Sequence, residues 1–200
     1  RDLLEYALNI PHSAFLHALV SDVSEEDVQR YYDLVEKRKS GDPTQYILGK
    51  AWFMGLEYDV DARVLIPRQD TELLCEEALA FAKQHQAKSA LDLCTGSGAL
   101  AVALAALGGL TVTATDLSEG ALAVAGKNAQ KNNAEITFRK GDLLDALAED
   151  DRFDLIVCNP PYLAQQDMDE LQAEVRREPA MALYGGDDGL IFYQRLAKGA

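Results

Sequence analysis

The spacing of apolar positions changes along the chain, and each change marks a different unit. Over residues 1–40 apolar side chains recur every three to four positions, the period of a helix with one buried face. Val28, Tyr31, Tyr32 and Val35 form such a stripe. Ser24 ahead of Glu25, Glu26 and Asp27 offers a cap with acids in the first turn, where the helix dipole favours them. Lys37, Arg38 and Lys39 close the stripe, and Ser40-Gly41-Asp42-Pro43 breaks it. From Gln45 to Pro67 the texture turns to short β-prone pieces, Tyr46-Ile47-Leu48, Trp52-Phe53-Met54 and Tyr58-Asp59-Val60, punctuated by Gly49 and Gly55, which predicts a hairpin linker. Helical spacing returns from Thr71 to about Gln86, with Leu73, Leu74, Ala78, Leu79 and Phe81 apolar.

A third texture then repeats. Ala90–Leu93 reads as a strand, Ala99–Leu107 as a nearly all-apolar helix, Leu110–Ala114 as a strand and Gly120–Lys131 as a helix. Ile136–Phe138 and Leu155–Cys158 add two further strands, with a short helix expected at Leu143–Leu147 between them. Strands alternating with helices imply right-handed βαβ units on a parallel sheet, so the fold class is α/β. The units expected are a helical domain at residues 1–42, a β-hairpin linker at 43–67 and a catalytic domain at 68–200.

The candidate chemistry lies at the carboxyl ends of those strands. Gly96-Ser97-Gly98 stands where a strand becomes a helix, and Ala101 completes a G-x-G-x-x-A pattern. Such a turn lets a ligand approach the backbone and the free N–H groups of the helix start. Asp116 follows the second strand, where a carboxylate can accept both hydroxyls of a ribose. Asp142 follows the third strand; it can accept from an adenine amino group with Leu143 against the ring, or simply cap the short helix. Asn159-Pro160-Pro161-Tyr162 follows the fourth. The Asn159 side-chain carbonyl and the Pro160 backbone carbonyl, held in direction by its ring, are two acceptors suited to a planar NH₂ group. Tyr162 adds an aromatic face.

Composition narrows the partners. Nineteen Lys and Arg against 33 Asp and Glu give a net charge of −14, which repels nucleic-acid phosphates and suits a basic partner. Three cysteines, Cys75, Cys94 and Cys158, are too few and scattered for a disulfide framework, and His12, His17 and His85 do not join them at zinc-ligand spacing, so no metal is expected. No apolar run reaches the roughly 18 residues of a membrane span, and a cytoplasmic location is expected. The start at Arg1 and the stop within a helical pattern suggest a piece of a longer protein.

Asp92–Gly98, Asp116, Asp142 and the Asn-Pro-Pro-Tyr segment together resemble class I S-adenosylmethionine-dependent methyltransferases that modify amino nitrogens. Pro43–Gly49, Val64–Arg68 with Thr71-Glu72, Glu178-Pro179 with Ala182-Leu183, and Gly185–Leu190 resemble, more narrowly, the release-factor glutamine methyltransferases known as PrmC or HemK. The resemblance implies a Rossmann-like sheet without the family's C-terminal strands. It implies S-adenosylmethionine held by Cys94, Thr95, Gly96, Ser97, Gly98, Asp116, Leu117, Asp142 and Leu143, and catalysis by Asn159, Pro160, Pro161 and Tyr162. The implied reaction methylates the side-chain N5 nitrogen of Gln in the Gly-Gly-Gln motif of class I peptide-chain release factors, with a monomeric enzyme and no direct nucleic-acid contact. The chain departs from the family at Cys94 and Gln69, where Gly and Pro are usual, at Asp70 for Glu, and at Arg177 for an aromatic.

Three rival readings remain at this point. Asn-Pro-Pro-Tyr serves a flipped adenine or cytosine equally well, but the chain has only short basic groups such as Lys37-Arg38-Lys39 to clamp DNA. A nicotinamide oxidoreductase would use Gly96–Ala101 but leave Asn159–Tyr162 without a role. A helical adaptor with an inert sheet would leave both motifs unused.

Overall fold

The computed structural model describes residues 1–199. Residues 1–42 fold into α1 (Asp2–Leu8), a 3-10 turn at His12–Ala14, α2 (Phe15–Ala18) and α3 (Glu25–Lys39). Ser24 caps α3 as expected, its hydroxyl accepting from the Asp27 N–H at 3.1 Å. The stripe differs from expectation: Leu34 is the buried residue, whereas Val28 and Tyr32 are exposed. Among the described residues α1 and the short α4 make the main contacts with this helix, too little to cover a wide apolar face. Arg30 fastens α3 to α1 by donating to the Ala7 carbonyl at 2.8 Å.

Tyr46-Ile47-Leu48, expected as a strand, lies in helix α4 (Thr44–Leu48). Pro43 precedes the helix with φ already at −57°, and Gly49 ends it at φ +71°. Tyr46 then donates its hydroxyl to the Val64 carbonyl at 2.6 Å. Strong boundaries and a tertiary tie outweigh β propensity here.

The hairpin itself forms from β1 (Lys50–Phe53) and β2 (Leu56–Asp59), antiparallel, around Met54-Gly55. Both turn residues have positive φ, the pattern of a tight hairpin turn whose twist matches its strands. It packs into the main core through Phe53 and Tyr58, both essentially inaccessible. Tyr58 also donates to the Ala99 carbonyl at 3.2 Å.

The large unit comprises α5 (Gln69–His85), β3 (Ser89–Leu93), α6 (Ala99–Gly108), β4 (Thr111–Asp116), α7 (Glu119–Lys131), β5 (Ile136–Lys140) and β6 (Leu155–Cys158). The four strands form one parallel sheet in the order β5-β4-β3-β6. β3 is buried from Ala90 onward, and α6 buries every residue from Ala99 to Leu104 between the sheet and its neighbours, which is why both read as apolar runs. After β5 the chain returns across β4 and β3 to lay β6 on the far side of β3. Strand order therefore reverses between β3 and β6, and crevices at such a switch point take ligands in open α/β sheets. The segment Leu143–Ala146 is a 3-10 turn rather than a helix through Leu147. Downstream lie α8 (Gln165–Asp169), 3-10 turns at Val175–Arg177 and Ala180–Ala182, and α9 (Ile191–Gly199).

Candidate active site

Two adjoining concavities open at the carboxyl edge of the sheet. The inner cleft encloses about 1010 Å³ of space, partly open to solvent. Its wall carries Asp92, Cys94–Ser97, Asp116–Ser118, Gly141–Leu143, Asn159 and Pro161. The outer groove is lined by Pro160, Tyr162, Leu163 and the first turn of α5. Arg68, Thr71 and Asn159 face both spaces, so the site expected from sequence is split at Asn159. Pro160 and Tyr162 lie on the outer side, and Gly98 shapes the turn from behind without lining either wall.

The inner turn is built by backbone conformation and close packing. Cys94, Gly96 and Gly98 all have positive φ, at 59°, 55° and 81°. A Cβ on Gly98 would sit 3.0 Å from the Ala125 Cβ of α7, so only glycine lets helix and turn close to this distance. Cys94 carries a side chain in the same left-handed region, which costs it strain that glycine would not have. The neighbouring Cys94 thiol and burial push the Cys158 thiol upward in pKa. From outside, buried Asn128 holds the turn: it donates to the Ser97 carbonyl at 2.8 Å and exchanges hydrogen bonds with the Asp59 backbone at 2.7 and 3.0 Å.

Three carboxylates punctuate the cleft. Asp116 accepts from the N–H groups of Gly96 and Ser118, both at 2.9 Å, which aims it across the turn and leaves further lone pairs open. Asp142 does not cap the following turn, the alternative left open by sequence; it pairs with Arg195 of α9 at 2.9 Å. Leu143 beside it is buried at φ +52°. Asp92 is the residue sequence reasoning quoted without a role. It is 1% exposed, and its Oδ2 accepts from Thr95 Oγ1 at 2.6 Å and the Ala101 N–H at 3.1 Å. Its Oδ1 has no partner among the described residues. Burial pushes its pKa up to about 7 against the two hydrogen bonds that lower it, and the Asp116 charge adds to the rise. A charged residue inside the apolar run Ala90-Leu91-Asp92-Leu93 was the available signal.

The outer side is closely packed. Pro160 and Pro161 are buried, Asn159 is half-buried and Tyr162 is exposed. The Asn159 Nδ2 donates to Thr71 Oγ1 at 3.2 Å. Neither Asn159 Oδ1 nor the Pro160 carbonyl accepts from any described residue, so both acceptors are free. Behind them the Gly185–Leu190 loop presses on the chain: a Cβ on Gly189 would stand 2.3 Å from the Tyr162 carbonyl, and Leu163 exchanges backbone hydrogen bonds with Leu183 and Gly185. Glu178, also unassigned from sequence, is buried; it accepts from the Ile66 N–H at 3.0 Å and pairs with Arg68. Arg177, where the family has an aromatic, donates to the Ser40 carbonyl at 2.8 Å and pairs with Asp42, tying the loop to the helical unit.

The cleft fits S-adenosylmethionine by its chemistry. An unpartnered, buried anionic oxygen calls for a cation such as an α-ammonium group, Asp116 offers acceptors for a ribose diol, and Leu143 offers an apolar face. Among the described residues no group of three or more His, Cys, Asp or Glu is placed to hold a metal ion.

Comparison with known proteins agrees with this architecture. Residues 69–187 match the Methyltransferase small domain and residues 1–49 the PrmC N-terminal domain. Release factor glutamine methyltransferase of Bordetella pertussis is 44% identical over 100% of this chain and 74% of its own length. The proteins of that name from Geobacter sulfurreducens and Bacillus subtilis are 42% and 40% identical, covering 99% and 96% of this chain and 69% of each relative. Among solved structures, the hMettl16 catalytic domain in complex with a MAT2A 3′UTR hairpin superposes with a TM-score of 0.56 at 21% identity, over 88% of this chain and 62% of that one. That likeness shows the Rossmann-like methyltransferase fold alone. With a matching catalytic domain, a matching N-terminal domain and relatives above 40% identity across the whole sequence, the chain belongs to the release factor glutamine methyltransferase family and is an S-adenosylmethionine-dependent methyltransferase.

Proposed function

We propose that the chain methylates the side-chain amide nitrogen of the Gln in the Gly-Gly-Gln motif of class I peptide-chain release factors. The observation that carries this reading is the position of Asn159 at the junction of cleft and groove with its Oδ1 free. The relatives' shared name supports a release-factor substrate. The net charge of −14 favours a basic protein over a nucleic acid. We further propose that the enzyme acts as a cytoplasmic monomer without direct nucleic-acid contact; no helix among the described residues is long and apolar enough to cross a membrane.

When bound, S-adenosylmethionine supplies a methyl group already activated on a sulfonium. In this reading Asp92, Asp116 and Cys94–Ser97 of the turn would hold its amino acid and ribose parts, Leu117 and Leu143 would flank its base, and Asp142 would be shared between the base and Arg195. An amide nitrogen is a poor nucleophile because its lone pair is delocalised. Asn159 Oδ1 and the Pro160 carbonyl accept its two N–H bonds, align it, and stabilise the positive charge that develops as the lone pair is used. Pro161 stiffens the segment, and Tyr162 lays its ring along the flat amide. The excess proton departs to water after methyl transfer, so no strong base is needed.

The test is to offer a labelled methyl donor with a release factor, its Gln→Ala variant and duplex DNA, then locate the label by mass spectrometry. Label on the Gln alone is expected. Label on DNA, or equally on the Gln→Ala protein, overturns the assignment.

A further inference from the structure

Among the described residues the Asn159 side chain has one hydrogen-bond partner, and that partner bears on how its carboxamide is held. The two ends of a carboxamide are alike in shape and opposite in chemistry: one donates, the other accepts. A substrate amide that presents NH₂ needs the accepting end. Were Asn159 turned over, NH₂ would meet NH₂ and the pair would leave donors unsatisfied.

Thr71 is placed to fix where that carboxamide sits. Its Oγ1 takes Asn159 Nδ2 at 3.2 Å, and its side chain faces both the cleft and the groove. Thr71 is itself held on both sides. Arg68, whose carbonyl accepts the Thr71 N–H at 3.0 Å, is anchored by buried Glu178. Glu72, the next residue, accepts from the Met54 N–H of the hairpin at 2.6 Å. A β-branched side chain in a helix has few χ1 choices, and the Asn159 contact is made in one of them.

We propose that Thr71 is a positioning residue: its hydroxyl takes Asn159 Nδ2 and pins the carboxamide at the junction of cleft and groove with Oδ1 left to the substrate. A carboxylate side chain of the same length would bring acceptors against the Asn159 and Pro160 acceptors and be refused. This inference rests on the reading that Asn159 grips the substrate amide.

The experiment compares Thr71→Val, which keeps shape and loses the hydroxyl, with Thr71→Ser, which keeps it, in wild-type and Asn159→Ala backgrounds. Thr71→Val should lower kcat about 10-fold, the worth of one neutral hydrogen bond, with KM for S-adenosylmethionine unchanged. Thr71→Ser should restore wild-type kcat, and Thr71→Val should add nothing once Asn159 is Ala. In ¹⁵N-labelled protein without cofactor, the Asn159 side-chain amide resonance should shift in Thr71→Val and not in Thr71→Ser. Wild-type kcat in Thr71→Val, an equal loss in the Asn159→Ala background, or an unmoved amide resonance overturns the role of Thr71. Wild-type turnover in Asn159→Ala instead overturns the reading of the substrate site, whatever Thr71 does.

Discussion

The unpartnered oxygen of Asp92 should make cofactor binding a proton-linked event. Burial and the nearby Asp116 charge raise this carboxyl from 3.8 to about 7 in the free protein. At about 1.4 kcal/mol per pKa unit, that shift amounts to about 4 kcal/mol. The sign is fixed by where the proton is held more tightly. The folded chain keeps it and the unfolded chain loses it between pH 3.8 and about 7, so the free protein loses stability as pH rises across that interval and carries the full penalty above it. An α-ammonium group held by Asp92 would restore the charged form and remove the penalty. At about pH 6, roughly nine in ten free molecules hold the proton and must release it on binding, so affinity should be about 10-fold weaker than on a plateau near pH 8. Calorimetry with S-adenosylhomocysteine, which carries the same ammonium, in buffers of different ionisation enthalpy should register proton release at pH 6 and none at pH 8. Asp92→Asn should flatten this profile and weaken binding. It should also stabilise the free protein at pH 8 by about 1–3 kcal/mol, since the relieved charge exceeds the cost of an orphaned NH₂. Affinity independent of pH in the wild type, or an unchanged slope in Asp92→Asn, would refute the argument.

Other substitutions test other parts of the site. Asn159→Ala should lower turnover by about 100-fold while S-adenosylhomocysteine still binds, because positioned acceptors act on developing charge rather than on cofactor affinity; a change of only a few-fold counts against it. Cys94→Gly should raise stability in urea titration by about 1 kcal/mol by relieving the φ of +59°, and a fall would mean the thiol contact with Cys158 outweighs the strain. Gly189→Ala should destabilise by about 3 kcal/mol or more and reduce turnover together with stability, because its φ is +73° and its Cβ has no room beside the Tyr162 carbonyl; wild-type activity would show that the loop can retreat freely.

What could be read from the chain follows from locality. The sheet and α6 were legible because elements buried on both sides write themselves as apolar runs, and the nucleotide turn because its glycines sit between a strand and a helix. The Tyr46–Leu48 helix was not, since three β-prone residues say less than the Pro43 and Gly49 that bracket them. Asp142 finding Arg195, Asn159 finding Thr71, and Asn128 finding both Asp59 and Ser97 are meetings across long stretches of sequence that only the packed fold creates. The resemblance to a family supplied the motifs but not these ties, and the unpartnered oxygen of Asp92 needed a count of donors in three dimensions.

The Asn128 carboxamide carries one more implication. Because a single side chain grips a hairpin strand and the glycine turn at once, the two cannot breathe separately. Deuterium uptake at the Asp59 amide, on the far side of that clamp from the cleft, thus becomes a remote gauge of whether the turn is quiet or opening, and filling the cleft should slow it.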